Sequence, residues 1–284
     1  MVENIGIGNA FGLKSKYTMD EILRQITGIL VGGIYGEPQL GGTTWFLRVL
    51  FFVSVMFWGI QKIAQYFRKV IRISWLDLII QWGFAIGFLT LGWTGQIRGI
   101  GNKLQILTSL SIYFVYVLGY TVKRINVLNH LKNRVWSVWI SAATAAVILA
   151  FLNQQGSVAV NTNTYTNPPY LVVVSCLGCI LCTSVALLLG KTEFVSIVLS
   201  YLGRNSLYIF LFHFLAFKLI TCIEVVASAR PSYLLAAFPI LFTEGFWRIA
   251  YILTGLIAPL LVSEVYKKIT IVMFTVIGRR RKGE

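Results

Sequence analysis

The chain has 284 residues, of which 57% are hydrophobic and 12% charged, with a formal net charge of +15 and a mean hydropathy of +0.75. Soluble domains carry about 25% charged residues, so a soluble globular fold is excluded and an integral membrane protein is implied. Strand-like alternation is absent and the apolar runs are long, so helices rather than a closed barrel must satisfy the backbone.

A membrane-spanning helix needs about 20 apolar residues. In chain order the apolar runs predict seven spans, at roughly 44–62, 74–92, 103–121, 135–153, 170–190, 205–226 and 247–266. The predicted fold class is therefore all-α, a polytopic helical membrane protein. The spans make one domain, 44–266, between an outer or interfacial N-terminal segment, 1–43, and a basic tail, 267–284. A shorter apolar piece near 231–242 reads as a re-entrant or interfacial segment. Met1 to Gly12 lacks the basic start and the sustained apolar core of a cleavable signal.

The distribution of positive charge argues against nucleic acid and for a bilayer. Lys62, Arg68, Lys69 and Arg72 follow the first span, and Lys123, Arg124, Lys132 and Arg134 follow the third. Lys191 and Arg204 follow the fifth, and the tail carries Lys267, Lys268, Arg279, Arg280, Arg281 and Lys282. Alternate loops thus hold most of the 25 basic residues. The positive-inside rule places those loops and the C-terminus in the cytoplasm, where their charges meet anionic headgroups. Seven spans with the tail inside put the N-terminus outside, yet nothing before Thr44 is suited to carry the preceding residues across. The expectation is an N-terminally shortened version of a larger protein, because an odd number of upstream helices would restore the orientation. A weak span at 20–34, or a miscounted one, are the other accounts.

Cys176, Cys179 and Cys182 recur every third residue, but inside an apolar helix, where cysteine behaves as a small hydrophobe. With Cys222 also in a span, neither a metal site nor a disulfide framework follows. Gly6-Ile7-Gly8 and Gly99-Ile100-Gly101 read as turns, since neither joins a strand to a helix as a phosphate loop does.

Four features are able to carry chemistry. In the sixth span Ser206, His213 and Glu224 fall within about 20° of one helix face, and Lys218 points about 140° away from His213. A polar stripe within a span lines a cavity or a bundle interior. Histidine is the side-chain type suited to proton transfer; the alternative for His213 is a neutral ring bonded to a neighbouring helix. Arg48, just inside the first span, either snorkels outward or holds a partner or an anion. Glu244 and Arg248 stand four apart at the start of the last span, as an ordinary helical ion pair or as part of a site. The uncharged loop 153–170 is rich in amides and hydroxyls and contains Tyr165 and Tyr170. It is either a glycan-binding surface or a solvated loop.

The segment Leu202 to Lys218, with its Gly-Arg-Asn-Ser-Leu-Tyr-Ile core and the Leu-Phe-His-Phe that follows, resembles a late helix of the acyltransferase-3 family. Within that family it is most similar to the fucose-4-O-acetylase-like, polysaccharide-modifying members. Trp45-Phe46-Leu47-Arg48-Val49-Leu50-Phe51 resembles the family's Trp-Phe-Leu-x-x-Leu-Phe helix start. The run from Tyr165 to Tyr170 resembles its polar loop, and Trp247-Arg248-Ile249 with Pro259 its last helix. The resemblance covers about residues 40–270.

It implies part of a ten-helix bundle in a bacterial cytoplasmic (inner) membrane. The implied activity moves an acyl group, acetyl by preference, from acetyl-CoA or another acyl-CoA to a sugar hydroxyl. No metal is implied, and the partners are the bilayer and a polysaccharide or lipid-linked sugar acceptor. The family's principal catalytic histidine lies in its first helices, a few turns after an arginine, and no residue here matches that motif. Three absent N-terminal helices would account for this and for the inverted N-terminus. His213 sits in a different motif and is not that histidine. By this reading His213, Ser206, Asn205, Arg48, Lys218 and Glu224 are cavity candidates. Trp45, Glu244, Arg248, Tyr165 and Tyr170 are candidates for the outer mouth or the acceptor. A polysaccharide flippase or polymerase, or a non-catalytic membrane remnant, would share the hydrophobicity and the basic loops.

Overall fold

A computed structural model describes residues 44–132, 134–231 and 245–280, together with 19, 20, 23, 27 and 234. Among them, seven helices are long and apolar enough to cross a membrane, so the protein is all-α and polytopic. The helices are α1 Thr44–Val70, α2 Leu76–Ile97, α3 Ile106–Ile125, the short α4 Val127–Lys132, α5 Val135–Leu152, α6 Pro168–Leu189, α7 Glu193–Arg204, α8 Ser206–Ala227 and α9 Gly245–Arg280. A two-residue hairpin, β1 Val158–Ala159 and β2 Thr164–Tyr165, lies between α5 and α6, with Val158 opposite Tyr165 and Ala159 opposite Thr164.

The chain divides into two compact units. One holds Trp45–Leu199; the other begins at Ser200 and contains α8 and α9. Helix α9 runs on to Arg280. The apolar piece near 231–242 falls almost entirely outside the described residues.

In the first unit the packing follows what hydrocarbon demands. Large side chains such as Phe51, Trp58, Ile86 and Trp136 are exposed, which suits a lipid-facing surface. Polar and small residues turn inward. Val49, Val53, Ile60 and Ala64 mark the buried face of α1 at helical spacing. Between α2 and α3, Gly92 and Gly95 permit close approach, as small residues do in membrane helix pairs. A Cβ on Gly92 would collide with Ser111 Oγ and come within 3.1 Å of the Ser111 nitrogen and 3.2 Å of the Leu107 carbonyl oxygen.

Buried polar groups of these helices are linked to one another, with Asp77 Oδ1 left without a hydrogen-bond partner. Tyr113 donates to Gln81 Oε1, and Gln81 Nε2 donates to Gln61 Oε1 at 3.0 Å. Trp82 Nε1 donates to Thr121 Oγ1 at 3.1 Å. Near the start of α2, buried Asp77 pairs with Arg124 of α3 and accepts from the Tyr120 hydroxyl at 3.1 Å. The Arg124 guanidinium also donates to the Ser74 carbonyl at 2.6 Å and lies over the Trp75 ring. Between α5 and α6, Ser141 and Ser184 share a hydrogen bond of 2.9 Å.

The loop after α5 is tied down onto α2 and α3 by hydrogen bonds, while most of its residues stay exposed. Gln96 Nε2 donates to the Tyr165 carbonyl at 2.9 Å, and Gln96 Oε1 accepts from the Tyr165 N–H at 3.2 Å. Thr108 Oγ1 donates to the Val160 carbonyl and Asn163 Nδ2 to the Gly92 carbonyl. The chain then enters α6 with Asn167 as N-cap, accepting from the Tyr170 N–H at 2.8 Å, and with Pro168 and Pro169 opening the first turn.

Gly92→Ala is expected to lower stability by ~1–3 kcal/mol, the usual scale for overpacking a tight contact. Gly87→Ala, where nothing lies within 4 Å of the added carbon, is the matched control. Thermal unfolding of both variants in one detergent checks this, with only the first midpoint falling.

Candidate functional site

The second unit is built on α8 and α9, which meet along Phe217 and Gly255; a Cβ at Gly255 would lie 2.5 Å from the Phe217 ring. Beside this contact is a cavity of about 580 Å³. Its walls are apolar, formed by residues such as Leu202, Ile209, Phe217 and Leu256, and its polar lining comes from Ser206 and His213. Both polar residues belong to the Gly203–His213 block, the segment that carries the family resemblance.

His213 is fixed by its own helix rather than by a neighbouring one. Nδ1 lies 2.9 Å from the Phe210 carbonyl oxygen and 3.1 Å from that of Ile209. A carbonyl can only accept, so Nδ1 carries a proton, and in the neutral form of the ring the lone pair is on Nε2. The rings of Phe214, with centroids 4.4 Å away, and Phe217, edge-on at 5.4 Å, hold the imidazole in place. The result is a half-buried, oriented hydrogen-bond acceptor in an apolar wall.

Asn205 does not line the cavity. It is 3% exposed and ties three segments together. Its Nδ2 donates to the Tyr201 carbonyl at 2.9 Å, while its Oδ1 accepts from Ser263 Oγ at 3.2 Å and Lys267 Nζ at 2.9 Å. Lys267 also pairs with Glu264 at 2.9 Å, and the Tyr201 hydroxyl donates to the same carboxylate oxygen at 3.1 Å. That bond to Glu264, more than burial, holds the Tyr201 phenol above the usual tyrosine range.

Glu224 is likewise separate from the cavity. Helical phase puts it on the His213 face, but eleven residues of rise set the two about 16 Å apart along the axis. Glu224 is 1% exposed, and its Oε2 lies 2.8 Å from the Tyr251 hydroxyl, which is itself 2.9 Å from Thr221 Oγ1. Lys218 is half-buried and does not line the cavity.

The remaining candidates are dispersed. Arg248 is exposed on the first turn of α9, and its proposed partner Glu244 lies outside the described residues. In the first unit, Arg48 is half-buried on α1, and Trp45 packs against the core cluster. Tyr165 is 3% exposed. Its ring stacks on Trp93 at 5.3 Å and its hydroxyl lies 3.1 Å from Ser111 Oγ. Burial pushes that phenol upward. Tyr170 is half-buried, its hydroxyl donating to the Leu152 carbonyl at 2.8 Å.

Sequence reasoning missed Tyr201, Thr221, Tyr251, Ser263, Glu264 and Lys267. The available signal was polar residues at helical spacing within an apolar helix, as with Ser263 and Lys267 four apart. Among the described residues no group of three or more His, Cys, Asp or Glu is placed to hold a metal ion.

Fold and site together define a polytopic helical membrane protein with an oriented histidine in an apolar cavity. The family model described as an acyltransferase domain matches residues 24–263, most of the chain, and the protein belongs to this acyltransferase-3 family. No curated protein and no solved structure matches it.

Asn205→Ala is expected to cost ~1–3 kcal/mol, because Ser263 and Lys267 lose their shared acceptor. Asn205→Asp keeps the acceptor and adds a charge opposite Lys267. Detergent thermal unfolding should therefore rank Ala well below Asp.

Proposed function

We propose that the protein is a sugar O-acyltransferase of the fucose-4-O-acetylase-like, polysaccharide-modifying type, working in a bacterial inner membrane with its C-terminus in the cytoplasm. The donor is acetyl-CoA or another acyl-CoA, and the acceptor a hydroxyl of a surface polysaccharide or its lipid-linked precursor. Family membership supports the reaction class. The basic loops on alternate sides support the orientation. The observation that carries the reading is that the family-resembling block Gly203–His213 supplies both polar groups of an apolar cavity.

The cavity suits the acyl end of the donor. Its apolar walls suit an acyl group or the pantetheine arm, and among the described residues no cation lines it. The donor's phosphates would then lie outside it. Arg204 ends α7 just before α8, and Lys267 and Lys268 lie within α9; they are the residues suited to meet that charge. In the reaction a base removes the sugar hydroxyl proton and the oxygen attacks the thioester carbonyl. The carbon–sulfur bond then breaks, and the departing thiolate takes up a proton. We assign the base to no residue of the chain. His213 is given the role of holding the acceptor hydroxyl through Nε2, with Ser206 beside it.

The test is release of free CoA thiol from acetyl-CoA by membranes containing the protein, with and without sugar acceptor. His213→Gln should lower acceptor-dependent release by ~10- to 100-fold, the scale of one lost hydrogen bond in a dry site. Ser206→Ala should lower it less. An unchanged rate in the His213 variant removes that residue from the site. Absence of release by the wild-type protein, with glycan crossing the bilayer, would establish the flippase reading instead.

A further inference from the structure

The cavity between α8 and α9 stops at a definite residue. On α8 its lining follows one face through Ser206, Phe210, His213 and Phe217, and Phe217 is the last residue of that helix in its walls. One turn further on, the two helices are closed against each other. Thr221 and Glu224 of α8 and Tyr251 of α9 are at most 2% exposed. The Tyr251 hydroxyl lies 2.9 Å from Thr221 Oγ1 and 2.8 Å from Glu224 Oε2, so these three side chains are joined in one buried seam.

Phe217 stands between the cavity and that seam. Its ring meets Tyr251 edge-on with centroids 5.8 Å apart, and the His213 imidazole edge-on at 5.4 Å. Gly255 makes room for it, since a Cβ there would lie 2.5 Å from the ring. The opposite end of the cavity is formed by Leu202 and Gly203, beside Arg204. Lys267 reaches the same end, because its Nζ donates to Asn205 Oδ1 at 2.9 Å. Between Ser206 and Phe217 the helix rises about 16 Å, so the cavity has a cationic end and a far, aromatic one.

Given the acyltransferase reading, on which this rests, we infer that Phe217, seated against Gly255, is the end wall of the acyl pocket and restricts the donor to short-chain acyl-CoA. A donor with its phosphates at the cationic end lays its pantetheine arm along this face of α8. Its thioester then reaches the His213 turn, and its acyl group points at the Phe217 ring. A longer chain would have to displace a ring that also holds the imidazole in place. Behind that ring, hydrocarbon would have to part Tyr251 from Thr221 and Glu224, leaving buried polar groups without partners. Added methylenes are therefore rejected rather than accommodated.

Binding of S-ethyl-, S-butyl- and S-hexyl-CoA to the full chain in lipid nanodiscs tests this, since these thioethers cannot give up their alkyl group. The wild-type protein should bind the ethyl compound ~10-fold or more tightly than the hexyl one, the scale on which a hydrophobic pocket discriminates methylenes. Phe217→Ala should reverse that order, and Phe217→Leu should narrow the gap. The same order and gap in the wild type and both variants would overturn the inference. So would wild-type protein that binds the hexyl compound as tightly as the ethyl one, or that binds none of the three. If Phe217→Ala yields no folded protein, Phe217→Leu decides alone: a narrowed gap supports the end wall, and an unchanged one overturns it. Acceptor-dependent turnover of acetyl-CoA in the same nanodiscs separates this from the reading beneath it. Turnover with an unshifted series removes the end wall and leaves the acyltransferase. A reordered series without turnover keeps the end wall and removes the activity.

Discussion

Hydrocarbon supplies no hydrogen bonds, and that one condition organises the polar side chains of this protein. A donor or acceptor inside a span must meet its complement on another turn or another helix, because the alternative costs several kcal/mol. In the first unit Gln81 meets Tyr113 and Gln61, Asp77 meets Arg124 and Tyr120, and Ser141 meets Ser184. In the second, Asn205 meets Ser263 and Lys267, and Thr221 meets Tyr251. Burying apolar surface contributes little net preference between helices when lipid is equally apolar. These polar matches, with close approaches at Gly92 and Gly255, therefore set which helices pair and in what register.

His213 is the exception that makes a site. Its Nδ1 is satisfied within its own helix, so the ring does not bind two helices together. What that arrangement provides is a fixed acceptor nitrogen in a wall of aromatic and aliphatic groups. A residue used for packing would direct both nitrogens into neighbours. Here only one is consumed by the scaffold's own backbone.

The seven spans were legible because span length and apolarity are local properties that a bilayer fixes by its thickness. Helix α7 was not. At twelve residues it is too short to span, and Glu193, Lys191 and Arg204 around it read as a charged loop. The loop over α2 and α3 escaped for a different reason: its uncharged amides and hydroxyls show no pattern, and Tyr165 becomes buried only through Gln96, Ser111 and Trp93, far away in sequence. Ser206 and His213 line one cavity. Phase alone misplaced Glu224, since angle around a helix says nothing of distance along it. Asn205 was found through its motif, but its partners, Ser263 and Lys267, lie some sixty residues away.

Pro259 sits inside α9. Lacking an N–H, it leaves the carbonyl four residues earlier, that of Gly255, without its usual rung, and Gly255 is part of the cavity wall. Missing rungs are where helices bend, and glycine removes the side chain that would otherwise brace the turn. The weakest point of the longest helix thus coincides with the edge of the cavity. Flexing there would change the width of the opening while leaving the anchored ends, Tyr251 on one side and Ser263 on the other, in place.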